Sequence, residues 1–130
     1  MAGHPPPILC AAIICDCGVK DPGTGKYTLV GLFDVIAAGA FPASQQCSLY
    51  LKLTEVHGES PLMVEVVHDA EGKQVGRVNG RIKSPTPLAV LDTLLPLELV
   101  LPWPGRYQIR VFAGNAFIGH TSLEVVEPQP

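Results

Sequence analysis

Residues 21–36 read "DPGTGKYTLVGLFDVI", and the way this stretch alternates decides the fold. A tight turn rich in glycine opens into a run that is apolar on both sides. As one strand over 26–36, it places Leu29, Gly31, Phe33 and Val35 on one face. Val30, Leu32 and Ile36 lie on the other, broken only by Thr28 and Asp34. The segment before the turn behaves the same way: Leu9, Ala11, Ile13 and Cys15 alternate with Ile8, Cys10, Ala12 and Ile14. Together 8–20 and 26–36 read as a hairpin with two apolar faces. A sandwich core shelters only one of them, and each buried aliphatic side chain contributes about 1.5–3 kcal/mol. Ile8, Ile14, Val30, Leu32 and Ile36 are therefore the candidate interface residues, unless the following loop "AAGAFPASQQ" covers them within the chain.

Outward from this hairpin, the chain keeps a period of two. "CSLYLKLTEV" sets Cys47, Leu49, Leu51 and Leu53 against Ser48, Tyr50, Lys52 and Thr54, and "GRYQIRVFA" sets Tyr107, Ile109 and Val111 against Arg106, Gln108 and Arg110. Both are half-buried antiparallel strands. "LMVEVVHDAEGKQVGRV" is a hairpin whose return strand changes phase around Gly76, the mark of a β-bulge. Pro96, inside "LLPLELVL", demotes that strand to a sheet edge. Gly114 and Asn115 form the final turn.

Eight strands are expected: 8–20, 26–36, 47–56, 62–69, 73–83, 90–101, 106–113 and 116–126. No window carries a helical stripe, although "ILCAAIIC" could also close as a buried helical turn. The expected fold is an all-β, single-domain antiparallel β-sandwich, immunoglobulin-like in that Tyr107 should bond back to the preceding corner. One domain spans 1–130, with a proline-rich tail at 1–7 and a short tail at 127–130.

Composition narrows the function. The 130 residues are 47% hydrophobic but only 16% charged, against about 25% in typical soluble domains, which suggests surface hidden against a partner. The net charge is −3 and the basic residues are scattered, which disfavours nucleic acid. No apolar run could span a bilayer as a helix. The N-terminus lacks the basic region and cleavage site of a secretion signal, so a cytoplasmic protein with free thiols is expected.

Chemistry-bearing motifs are weak. In "CDC", Cys15 and Cys17 would share a strand face about 7 Å apart, but no second Cys/His pair completes a zinc signature. In a simple hairpin Asp16 would sit near Val30 and Asp34 near Ala12, about 14 Å apart, too far for a shared reaction centre. "DPGTGK" lacks the phosphate-loop spacing and any following helix. No serine lies in a nucleophile elbow. His57 and His68, at either end of one strand, read as structural. Arg77, Arg81 and Lys83 share a phase, as do Arg106 and Arg110, and would form a basic stripe if their strands were neighbours. Trp103, between two prolines, reads as core rim. Neither catalysis, a cofactor nor a metal is expected.

"CDCGVKDPGTGKYTLVGLFDVI" resembles the opening of a bacterial family of small domains of unknown function, through Cys15, Asp16, Asp21, Thr24, Gly25, Lys26, Leu29, Gly31, Phe33 and Asp34. "PWPGRYQIRVFAGNAFIG" is similar to that family's closing hairpin. The resemblance implies a compact β-sandwich in bacterial cytoplasm and carries no assigned activity. The expectation is a non-catalytic module that binds protein, as a homo-oligomer or as an accessory subunit. The alternatives are a small-ligand or carbohydrate-binding sandwich, which needs Tyr50 and Trp103 available, and a metal or redox protein using Cys15 and Cys17.

Overall fold

The computed structural model describes residues 4–128; the outermost parts of the two expected tails, 1–3 and 129–130, lie outside the described residues. Nine strands and no helix make up the described chain: β1 (Ile8–Lys20), β2 (Tyr27–Leu32), β3 (Val35–Ala37), β4 (Ala43–Thr54), β5 (Gly58–His68), β6 (Lys73–Ser84), β7 (Leu91–Leu101), β8 (Gly105–Ala113) and β9 (Ala116–Val126). They form two packed sheets, in the orders β2-β1-β4-β7 and β3-β9-β8-β5-β6. The all-β sandwich is as the alternation predicts.

The core comes from one phase of each central strand. Leu49, Leu51 and Leu53 of β4 face Val64 and Val66 of β5 and Tyr107, Ile109 and Val111 of β8, all nearly or wholly excluded from water. The bulge in the β5–β6 hairpin falls where the phase change placed it: Val66 pairs with Gly76 and Val67 with Gln74, leaving Val75 as the extra residue. Pro96 sits opposite Ser48 on β7, an outer strand of its sheet, the kind of position to which a residue without an N–H is confined. The Tyr107 hydroxyl donates to the Trp103 carbonyl at 2.6 Å and accepts from the Trp103 N–H at 3.1 Å. These bonds close the corner before β8; burial pushes the phenol pKa up, and the bond to the Trp103 backbone offsets part of that rise.

Two expectations require correction. The stretch 26–36 is not one strand. It leaves the first sheet after Leu32 and enters the second at Val35. The crossing is held by the Phe33 N–H donating to the Ile14 carbonyl (3.2 Å) and the Glu124 N–H donating to the Asp34 carbonyl (2.8 Å), while Phe33 itself packs on the core. Because the chain changes sheets, residues of both phases find a core-facing side. The sandwich is also not wholly antiparallel, since β3 runs parallel to β9.

Candidate functional site

β1 is longer than the strand it packs beside. It pairs with β4 from Ile8 to Cys15, and beyond that point, from Cys17 to Lys20, its ladder partner is β2 alone. The hairpin tip is thus a two-stranded ribbon that has left the β4 ladder and lies against Tyr50 of β4 and Leu94 of β7. Its turn is pinned by the Asp21 carboxylate, which accepts from the Thr24 hydroxyl at 2.6 Å and the Thr24 N–H at 2.9 Å. These bonds hold the Asp21 pKa below the usual carboxylate range, the hydroxyl contributing most. Beside the turn, Tyr27 meets Tyr50 of β4 edge-on at 5.8 Å. Gly18 has no room for a side chain, because a Cβ would stand 2.7 Å from Leu94 Cδ2. Gly31 has a left-handed φ of 71°, and a Cβ there would collide with the Asp16 carboxylate.

Cys17 pairs with Val30, so their side chains share a face, and alternation adds Val19. Val19 is 61% exposed, Val30 49%, Leu32 62% and Val35 50%. These values decide against cover by the loop after β3: Ala38 and Phe41 from that loop pack on the core instead. β2 is also the outer strand of its sheet, so one row of its backbone groups is unpaired. Its sequence, Tyr27–Leu32, contains no charge and no proline, the usual protections of such an edge.

The five predicted interface residues separate. Val30 and Leu32 lie on the ribbon. Ile8 is exposed but sits at the opposite end of β1. Ile14 is a correction: it is 3% exposed and belongs to the core. An irregularity between Leu9 and Ala11 shifts the β1–β4 register, placing Leu9, Ala12 and Ile14 inward together. Ile36 is also corrected, being half-buried against the core from the second sheet. Val19 and Val35 were missed. The sequence signal for Val19 was its place two residues after Cys17, on the same phase of β1.

The cysteines do not act as a pair. Cys15 is buried and its thiol points at the Ser48 carbonyl, 3.7 Å away, while Cys17 is exposed. Burial pushes the Cys15 thiol pKa up, with Cys17 and Asp16 adding to it. Cys47 is pushed up to about 11, again chiefly by burial. Such thiols are poor nucleophiles and poor metal ligands. Among the described residues, no three His, Cys, Asp or Glu side chains gather into a possible metal site. The true register places Asp16 opposite Gly31, one residue from the expected pairing.

The basic stripe does not form, because β5 lies between β6 and β8. Its acids interleave with the arginines: Glu59 bonds Arg81 at 2.8 Å, and Glu65 lies 3.6 Å from Arg110. A shallow groove of about 600 Å³ remains beside them, lined by Arg77, Asn79, Arg81, Phe112 and Asn115 among others. His68 is structural. Its Nδ1 accepts from the Glu71 N–H at 3.1 Å and its Nε2–H donates to the Pro104 carbonyl at 3.0 Å, under Trp103 and Tyr107. Trp103 is half-buried at that corner, and Tyr50 is half-buried and donates to Asp92 at 2.9 Å. Neither is a free aromatic platform.

A family model, "Family of unknown function (DUF6941)", matches residues 10–126. The chain belongs to that family. The DUF6941 match runs from within β1 to the last residue of β9, so it takes in both sheets, the ribbon and the sheet crossing. No curated protein matches the sequence.

Proposed function

We propose that this DUF6941 chain is a non-catalytic association module that docks through its β1–β2 ribbon onto another copy or another subunit. The observation that carries this reading is the ribbon itself: Val19 and Leu32 more than half exposed and Val30 about half, beside an uncharged strand edge. Natural sheets protect such edges, and an unprotected one is a template for strand addition. Four unpaired thiols fit a reducing compartment such as the cytoplasm. The variant V19T/V30T/L32T tests the proposal. Its urea stability should stay within about 0.5 kcal/mol per site. Its assembly should be lost, as read by light scattering for self-association and co-purification for a foreign subunit. A variant that loses several kcal/mol (about the cost of a core truncation) while assembling normally would make the ribbon a folding element and contradict the proposal.

The groove beside Arg77 favours a second reading, a binding site for a small organic anion. Arg77 takes part in none of the ion pairs among the described residues. Titrating citrate while following the arginine side-chain resonances would test it, and an unchanged spectrum would dismiss it.

A further inference from the structure

Resting on the reading of the Arg77 groove as an anion site, we infer that its ligand is a small monocarboxylate with an apolar body. The carboxylate sits on Arg77 and the body lies over Met63 and Phe112. The groove is cut into the outer face of the second sheet, where alternation turns these side chains away from the core. Asn79, Met63, Phe112 and Phe117 stand directly opposite one another across β6, β5, β8 and β9. Opposed residues in antiparallel strands project from the same face, so they form one row. The neighbouring row reads Arg77, Glu65, Arg110 and His120. A largely apolar row thus runs beside a charged one, about 7 Å away along the strands.

Charge sets the valence of the ligand. Of the chain's four arginines, Arg81 meets Glu59 at 2.8 Å, Arg106 meets Asp69 at 3.5 Å and Arg110 meets Glu65 at 3.6 Å. Glu65 is opposed in the ladder to both Arg77 and Arg110, and its carboxylate goes to Arg110. Arg77 is the arginine left without an acid among the described residues. One spare guanidinium matches one carboxylate, through two parallel N–H donors. A polyanion brings its further charges towards Glu59 and Glu65, whose own cations are already engaged. Asn79 and Asn115 line the same groove and offer amide donors without charge. The apolar row sets the rest. Met63 and Phe112 are half-buried, and Phe117 meets Phe112 edge-on at 5.6 Å. A thioether and a phenyl ring both pack well on a ring. At about 600 Å³ the groove falls within the range of small-molecule sites, about 300–1,000 Å³. It lies on the other sheet from the β1–β2 ribbon, so the two surfaces can be tested separately.

Titrating the full chain with 3-phenylpropionate, citrate and 3-phenylpropanol tests this, with the Arg77 side-chain and Met63 methyl resonances followed together. The expected result is that 3-phenylpropionate moves both resonances. It should bind about tenfold tighter than 3-phenylpropanol, which has the same ring and no charge to bond. Citrate should move Arg77 alone, with an affinity lower by a similar factor. Arg77→Gln should weaken 3-phenylpropionate by about tenfold. Lys83→Gln, on the same strand and phase but outside the groove, should leave it unchanged. Citrate binding as tightly as 3-phenylpropionate overturns the monocarboxylate inference and leaves the anion reading standing. The inference also falls if the alcohol binds as tightly as the acid, or if R77Q binds the acid as the wild type does. An Arg77 resonance that citrate leaves unmoved dismisses the anion reading, and this inference with it.

Discussion

The body of the sandwich and the β1–β2 ribbon are built from the same kinds of residue and stand in opposite relations to water. In β4, Leu49, Leu51 and Leu53 are wholly excluded, and their strand is flanked on both sides, by β1 and β7. In the ribbon, Val19 and Leu32 are more than half exposed and Val30 about half, on strands that have lost one neighbour or never had one. The difference lies in the ladder rather than in composition. Hydrophobicity alone does not bury a strand; it must also have a second sheet across from it, and the ribbon extends past the point where β4 accompanies β1.

That comparison can be broken most forcefully by truncation. Leu51→Ala in β4 should cost about 2–5 kcal/mol, measured by urea unfolding, whereas Val30→Ala in the ribbon should cost under about 0.5 kcal/mol. Equal costs would erase the distinction. Next in size is Tyr107→Phe, which removes the corner hydroxyl and leaves the Trp103 N–H and carbonyl without their partner. The expected loss is about 1–3 kcal/mol, again far from the ribbon and without effect on assembly.

Thiol reactivity sharpens the contrast at the level of single side chains. Alkylation at pH 8 should modify Cys10 and Cys17 quickly and spare Cys15 and Cys47 until urea unfolds the chain. Mass spectrometry of digests checks this, and rapid labelling of Cys47 would contradict the burial that raises its pKa to about 11. The smallest effects are in pH dependence. Tyr50 is raised to about 12, chiefly by burial and then by its bond to Asp92. A raised folded pKa means its contribution is intact below the unfolded value of about 10 and is lost as pH climbs through the folded one. Tyr50→Phe should therefore flatten the alkaline limb of a stability profile. Asp21, with a lowered pKa, works in the opposite direction: its contribution holds above the unfolded carboxylate value and fades as pH falls through the folded one. Asp21→Asn should flatten the acid limb slightly.

Most of the body was legible in the sequence because its signals are local. Alternation through β4 and β8, the phase change at Gly76, the proline in β7 and the Gly114–Asn115 turn each fix a strand or its boundary without reference to distant residues. The ribbon was half legible. Its two apolar faces were plain, and Val30 and Leu32 are where alternation put them. The crossing at Phe33–Asp34 was not, since a strand that continues and a strand that changes sheets share one local pattern. The burial of Ile14 follows from a register shift at Leu9–Ala11, which depends on where β4 pairs and leaves no mark within β1.

The most direct measurement is amide hydrogen exchange, followed residue by residue at low and high protein concentration. If the ribbon is the docking edge, the β2 amides that face away from β1 will exchange fast in dilute solution and slow down as the protein is concentrated. The Leu49–Leu53 amides will be equally slow throughout. Should the outward β2 amides exchange at the same fast rate at every concentration, the β2 edge is not where this chain meets its copy.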